Sequence, residues 1–415
     1  MALFFRRLSL IAAVGATLLL VNACAVGQKP LGNPEQPYPL PRPPQVGDFV
    51  HLPTGTPVNE AELLAAISDV RIVYVGETHD NPASHRFELM ILQAMAERWP
   101  GQVSLGMEMF TRRQQPVLDR WVAGELSEKA FLKEVGWYSA WKMDFALYRE
   151  LLLFARDRHI PVIGLNAEKD LVRTVSRTPL EALSAEDRAR VPEMDLTDPY
   201  QSALVKSIYA GHVASDNQLA GFQRVQTLWD EVMAETVADH LLTCLDGSQR
   251  MVVVAGGNHI RHGTGIPRRV FRRLPTSYVL TGIHEIAIPA SKQDRLMNVE
   301  LPKFPMPPYD YIAYVAYEEL PGEKVKLGVR FEEENHRVVV REVVPGSSAD
   351  AAGVQGGDLL LTIDGEAISD SFDLIYSLEQ KTKGDKGILE VERAGEPLRL
   401  EIVFQPLPKV EMHKP

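Results

Sequence analysis

The chain is poor in cysteine. Of its 415 residues only Cys24 and Cys244 carry a thiol, which excludes a disulfide-stapled scaffold and any cysteine-rich zinc fold. Positive charge is also short, because 44 Lys and Arg stand against 55 Asp and Glu for a formal net charge of -11. This balance disfavours nucleic acid as a partner and gives no general attraction to anionic lipid surfaces. Beyond the first segment no long apolar run occurs, and the run from Leu8 to Val21 is itself too short and wrongly flanked for a stable membrane span. What remains is 45% hydrophobic and 24% charged. That is the balance of a globular protein with a sizeable core, and the length implies two or three domains.

Arg6-Arg7 ahead of the apolar run makes residues 1-23 a secretory signal. The run closes on Val21-Asn22-Ala23-Cys24, which resembles a bacterial lipobox. The resemblance implies that Cys24 becomes the lipidated first residue and that a lipid anchor is the only contact with a membrane. Ala25 in second place, where an Asp would retain the protein, implies the outer membrane of a bacterial envelope. Cys244 lies in the apolar run Leu241-Leu245 and reads as core. Between Lys29 and Pro44 seven prolines fall in sixteen residues, so residues 24-46 are expected to form an extended tether.

From 47 to 290 apolar strands alternate with longer amphipathic helices. Strands are expected at Ile72-Val75, Val103-Gly106, Pro161-Leu165, Met251-Ala255 and Tyr278-Leu280, and helices over Gln114-Glu125, Phe145-Arg158 and Leu219-Leu242. The pattern predicts an α/β fold with a mostly parallel sheet flanked by helices. In such sheets ligands gather at the carboxyl ends of the strands. Glu77 and His79 follow the first strand, Glu108 the second, Asn166 the third and His259 the fourth, so all five are expected along one edge. Glu77, His79, Glu108 and His259 offer two imidazoles and two carboxylates, a set suited to a divalent metal. The same groups suit a metal-free hydrolase with His79 as general base, or a hydrogen-bonded brace for the loops. The residues leave these three readings open.

Gly76-Glu77-Thr78-His79-Asp80-Asn81, Leu105-Gly106-Met107-Glu108-Met109-Phe110, Trp229-Asp230-Glu231-Val232-Met233-Ala234 and Gly257-Asn258-His259-Ile260, with Gly265-Ile266-Pro267 after them, resemble the ChaN family. Its members are bacterial haem-binding, iron-regulated lipoproteins, in a superfamily with erythromycin esterases and Tiki metalloproteases. The likeness spans about residues 68-270. It implies haem as ligand, a role in iron uptake and, since haem in this family goes with dimers, a homodimer. It makes a haem-binding protein the first reading and an esterase- or peptidase-like hydrolase the alternative. Haem requires an apolar slot and an axial ligand, for which Tyr209 and His212 are the candidates, and Trp137-Lys142 is a second aromatic-rich stretch.

Residues 291-322 hold Pro302, Pro305, Pro307 and Pro308 and are expected to be a linker. Beyond them short strands surround Pro345-Asp358, where Ser347 can cap a one-turn helix, Gly353 can end it and Asp364-Gly365 suits a tight hairpin. Residues 323-405 closely resemble a PDZ domain of the bacterial periplasmic kind. The resemblance implies that Leu327, Gly328 and Val329 hold the C-terminal carboxylate of a peptide, which adds as a strand beside a helix capped by Ser371. A protein in which only this module works, on an inactive α/β scaffold, is a further alternative.

Overall fold

The computed structural model describes residues 33, 36–209, 215–243, 247–295 and 301–408. The first sheet has eight strands: β1 (Phe49–His51), β2 (Thr56–Val58), β3 (Ile72–Glu77), β4 (Val103–Thr111), β5 (Val162–Asn166), β6 (Arg250–Gly256), β7 (Tyr278–Ala287) and β8 (Tyr311–Ala316). Their order is β2-β1-β8-β7-β3-β6-β4-β5. Neighbours from β8 to β5 are all parallel, and the β1–β2 hairpin adds antiparallel at one edge. Around the sheet run α1 (Glu60–Ile67), α2 (Pro82–Arg98), α3 (Gln115–Val122), α4 (Glu128–Glu134), α5 (Trp137–Ala140), α6 (Phe145–Asp157), α7 (Lys169–Arg177), α8 (Ala185–Arg190), α9 (Pro199–Tyr209), α10 (Asp216–Leu242), α11 (Gly257–Ile260) and α12 (Ile266–Arg273). Among the described residues no helix is long and apolar enough to cross a membrane.

Alternate residues of the central strands serve two cores. Val73, Val75, Val252 and Val254 pack with Ile91 and Met95 of α2 and Leu151 of α6. Ile72, Tyr74, Met251 and Val253 pack on the other face with Val237 and Leu241 of α10 and Val270 of α12. Side chains alternate faces along a strand, and a parallel sheet is covered on both, which explains why these strands read as unbroken apolar runs. Glu77 continues the Val73–Val75 face and so points among α2 and α6. Asn81 caps α2, accepting from the Ala83 amide at 3.0 Å while Pro82 occupies the first turn, where its missing N–H costs nothing.

The stretch expected as a linker is partly sheet. Residues 311–316 form β8, parallel to β7, and just before it Tyr309 lies buried against β3 and β7. A Cβ at Gly282 would stand 2.4 Å from the Tyr309 ring and one at Gly76 2.6 Å from its hydroxyl. The glycines therefore make room for a ring that arrives from the far end of the domain. The proline-rich tether also ends differently from a free stalk. Leu40 packs on the second core and Arg42 pairs with Asp48 at 2.7 Å.

The second sheet holds β9 (Val329–Glu333), β10 (Val338–Val343), β11 (Leu359–Ile363), β12 (Glu366–Ala367), β13 (Lys386–Arg393) and β14 (Glu396–Val403). Its antiparallel path is β14-β13-β11-β10-β9, with β12 on β11, and α13 (Ser348–Ala352) and α14 (Ser371–Glu379) complete it. Ser347 caps α13, Gly353 ends it at φ 82°, and Asp364 and Gly365 both turn left-handed. The cap of α14 is Asp370, which accepts from the Asp373 amide at 3.0 Å, and Ser371 is instead the first helical residue. A carboxylate there is favoured by the helix dipole over a hydroxyl.

This module sits on the first. Lys133 of α4 lies 2.9 Å from Asp370 and 3.2 Å from Asp373, Lys324 lies 2.8 Å from Asp144, and the Phe372 ring of α14 is centred 5.4 Å from Tyr138 of α5.

Candidate functional site

The carboxyl ends of β3, β6 and β4 lie side by side, and the reactive residues divide into two groups there. The first centres on Glu77, whose side chain is fully buried. One of its oxygens, Oε1, accepts from Nδ1 of His79 in a short hydrogen bond and from the Tyr148 hydroxyl of α6 at 3.2 Å. Trp141 donates its indole N–H to the Tyr148 oxygen at 3.1 Å and stands edge-on to His79, with ring centres 5.0 Å apart. The first turns of α2 add His85, whose Nδ1 lies 3.1 Å from Glu88 Oε2 and 3.4 Å from Glu77 Oε2.

The second group centres on His259 at the start of α11. Its Nε2 is 3.5 Å from Glu108 Oε1, and its Nδ1 is 2.6 Å from Asp230 Oδ1 on α10. Glu108 Oε2 accepts from the Gly256 amide at 2.6 Å. The groups meet over Gly256, where a Cβ would lie 3.0 Å from His79 Nε2 and 3.5 Å from Glu108 Oε2. Glu77, His79, Glu108 and His259 thus do share one place. Asn166 does not join them: its amide donates to the Glu108 carbonyl at 2.9 Å and ties β5 to β4.

Burial disfavours charge in carboxylates and drives the Glu77 pKa to about 7 and that of Glu88 to about 8. Burial pulls His79 down, but its hydrogen bond to Glu77 and the charges of Glu77, Glu108 and Glu88 outweigh it and raise the pKa to about 9. Burial likewise opposes the charge on His259, yet Glu108 and Asp230 hold its pKa above the ordinary value. For His85 burial wins and the pKa falls. At neutral pH His79 is therefore a proton donor, which argues against it as a general base in the absence of a cation.

Several of these residues are not singled out by the sequence. His85 and Glu88 sit on the buried stripe of α2, three apart, and a charged residue on an apolar face is a usable signal. Asp230 and Glu231 lie in a motif whose residues carry no stated role. Asp230 orients His259, and Glu231 pairs with the fully buried Arg269 at 3.2 Å and with Arg272 and Arg273 at 2.9 and 2.7 Å. Removing one side of such a buried pair costs about 3–5 kcal/mol, so this part of the motif holds α10 to α12.

Tyr209 ends α9, half-buried, with its ring stacked on Phe222 of α10 at 4.4 Å. Beside it Ile208, Phe304 and Met306 form a small apolar cluster, and Tyr200 and Phe222 are exposed. His212 lies outside the described residues, as do Cys24 and Cys244. Trp137 is core, packed among Phe110, Phe145 and Tyr148. In the second domain Gly328 takes φ +83°, the Leu327 carbonyl accepts from the Ala349 amide at 2.9 Å and the Gly328 carbonyl from Val344 at 2.8 Å. These bonds hold the loop at the start of β9, which is the edge strand of its sheet.

Residues 63–270 match the family model described as haem-binding uptake, Tiki superfamily, ChaN, and residues 325–403 match the PDZ domain. No curated protein matches the chain. Among solved structures it is similar to ChaN of Campylobacter jejuni in a structure of cofacial haem binding, at 14% identity and a TM-score of 0.49 over 64% of this chain and 95% of that one. A smaller part is similar to the HtrA-type protease AlgW with a decapeptide, at 24% identity and a TM-score of 0.20 over 21% of this chain and 30% of that one. The HtrA3 PDZ domain bound to a phage-derived ligand is similar at 25% identity and a TM-score of 0.18, over 20% and 86%. With a parallel α/β domain under the first model and an antiparallel β-rich domain under the second, the chain belongs to the ChaN family of haem-binding uptake proteins in the Tiki superfamily and carries a PDZ domain behind it.

Proposed function

We propose that the protein is an envelope lipoprotein that binds haem for iron uptake, anchored through Cys24 to the outer membrane, with a PDZ module that takes C-terminal peptides. Membership of the ChaN family carries this reading. The surface around Tyr209 fits haem as cargo: a phenol for the iron, the parallel Phe222 ring, the apolar Phe304 and Met306, and the exposed Lys206 one turn before Tyr209 for a propionate. An exposed aromatic patch of this kind also suits a homodimer interface. In the PDZ module the edge strand β9 offers its free side to a peptide, and a side chain at Gly328 would stand 2.1 Å from Ser347 Cβ.

Titration of the full chain with haemin is expected to give a Soret band that weakens at least tenfold in affinity, or shifts, in a Tyr209→Phe, His212→Ala double variant. A flat titration removes haem from the account. In the same preparations Gly328→Val is expected to lose capture of peptides with a free C-terminal carboxylate and to keep haem. The convergence of His79, Glu108 and His259 supports a second reading, hydrolysis of an ester or peptide. Turnover of such substrates that His259→Ala abolishes would carry it.

A further inference from the structure

The first turns of α2 place His85 and Glu88 against Glu77 in a pocket closed to water: His85 and Glu77 are each 5% exposed and Glu88 is 0%. Glu77 Oε2 and Glu88 Oε1 are buried without a hydrogen-bond partner. Such groups are costly unless something answers them. His85 does not do so as a neutral ring. Its Nε2 lies 3.2 Å from the backbone carbonyl of His79, an acceptor, so Nε2 carries the proton and donates it there. In that tautomer Nδ1 presents a lone pair to both carboxyl groups, so a proton held by Glu88, or a cation in its place, has to stand among the three.

We propose that Glu77, His85 and Glu88 bind one divalent transition-metal ion. One atom from each lies within 4.8 Å of the other two. Tetrahedral bonds of about 2.0–2.2 Å to an ion such as Zn²⁺ put ligand atoms about 3.3–3.6 Å apart, so closure by about 1.5 Å or less completes the set. One imidazole nitrogen with two carboxylates suits Zn²⁺, Mn²⁺ or Fe²⁺. The surroundings are those of a built site. The second ring nitrogen of His85 is held by a carbonyl, and the second oxygen of Glu77 is held by His79 and Tyr148, which fixes both ligands in orientation. Three protein ligands leave at least one coordination position open. His79, hydrogen-bonded to Glu77 and with its side chain 33% exposed, stands between this cluster and solvent.

The test uses the full chain, freed of metal with EDTA and titrated by calorimetry with ZnCl₂ and with MnCl₂. One equivalent per chain is expected, together with a rise in Tm. Glu88→Gln keeps the shape of the side chain and is expected to weaken binding at least tenfold and to lose the rise. His85→Asn should do the same, and Glu97→Gln, exposed on the same helix, should change neither. Absence of stoichiometric binding overturns the proposal. So does binding that a folded Glu88→Gln retains, or that depends on Glu108 and His259 instead of His85 and Glu88. Haem binding, read separately by the Soret band, stands or falls on other residues.

Discussion

Three neighbouring groups around Glu77 all keep their protons longer in the folded chain than in the unfolded one. Burial lifts Glu77 to about 7 and Glu88 to about 8, and the surrounding carboxylates lift His79 to about 9 against its own burial. The native state then holds more protons across a window from about pH 4.5 to 9, so stability is full below it and falls as pH rises through it. Metal-free protein is accordingly expected to lose Tm steadily from pH 5 to 9, and Glu88→Gln to flatten the fall below pH 8. Thermal melts across that range check this, and an unchanged slope in the variant would contradict it. A divalent ion displaces the protons of Glu77 and Glu88, so over their range metal-loaded protein should show the opposite trend. The visible half of this cluster could be read from order along the chain, since Glu77 and His79 directly follow an apolar strand. Its hidden half leaves a fainter signal, two polar residues three apart on a helix whose stripe of Phe87, Ile91 and Met95 otherwise reads as core.

At the scale of elements, prolines misdirect. Four of them between 302 and 308 make the stretch look like a linker, yet Tyr311–Ala316 is an apolar strand that extends the sheet, and Tyr309 fills the space kept by Gly76 and Gly282. Tertiary packing decides such a case, and no local pattern reports it. The five strands expected from apolar runs all form, because strands covered on both faces need no other signal than continuity. The contact between α14 and α4–α5 has no sequence signature at all. Its strength divides unevenly. The Phe372–Tyr138 pair is worth about 0.5–1.5 kcal/mol beyond its area, whereas ion pairs as exposed as those of Lys133 are worth about 0.2–1 kcal/mol each. Phe372→Ala is therefore expected to speed proteolysis of residues 317–324 more than Lys133→Ala does. Equal rates in the two variants would mean that charge holds the modules together.

For the whole molecule, the order of the two folded modules was legible from composition: an alternating α/β region and then a β-rich end. Anchorage belongs to this scale too. Replacing Cys24 by Ser is expected to shift the protein from the membrane to the soluble fraction, and a membrane pool that persists would separate attachment from acylation.

The one-turn helix α5 belongs to both modules at once. Tyr138 meets the PDZ helix through Phe372, and Trp141, which caps the turn just past its end, meets His79 and Tyr148. Family borders place this turn wholly in the first module, but as a unit of exchange it is shared. A different PDZ domain spliced onto this scaffold would have to bring its own aromatic at the place of Phe372 and its own acids at those of Asp370 and Asp373. Without them the graft would leave the Tyr138 ring uncovered next to Trp141, so the two modules fit each other as a matched pair.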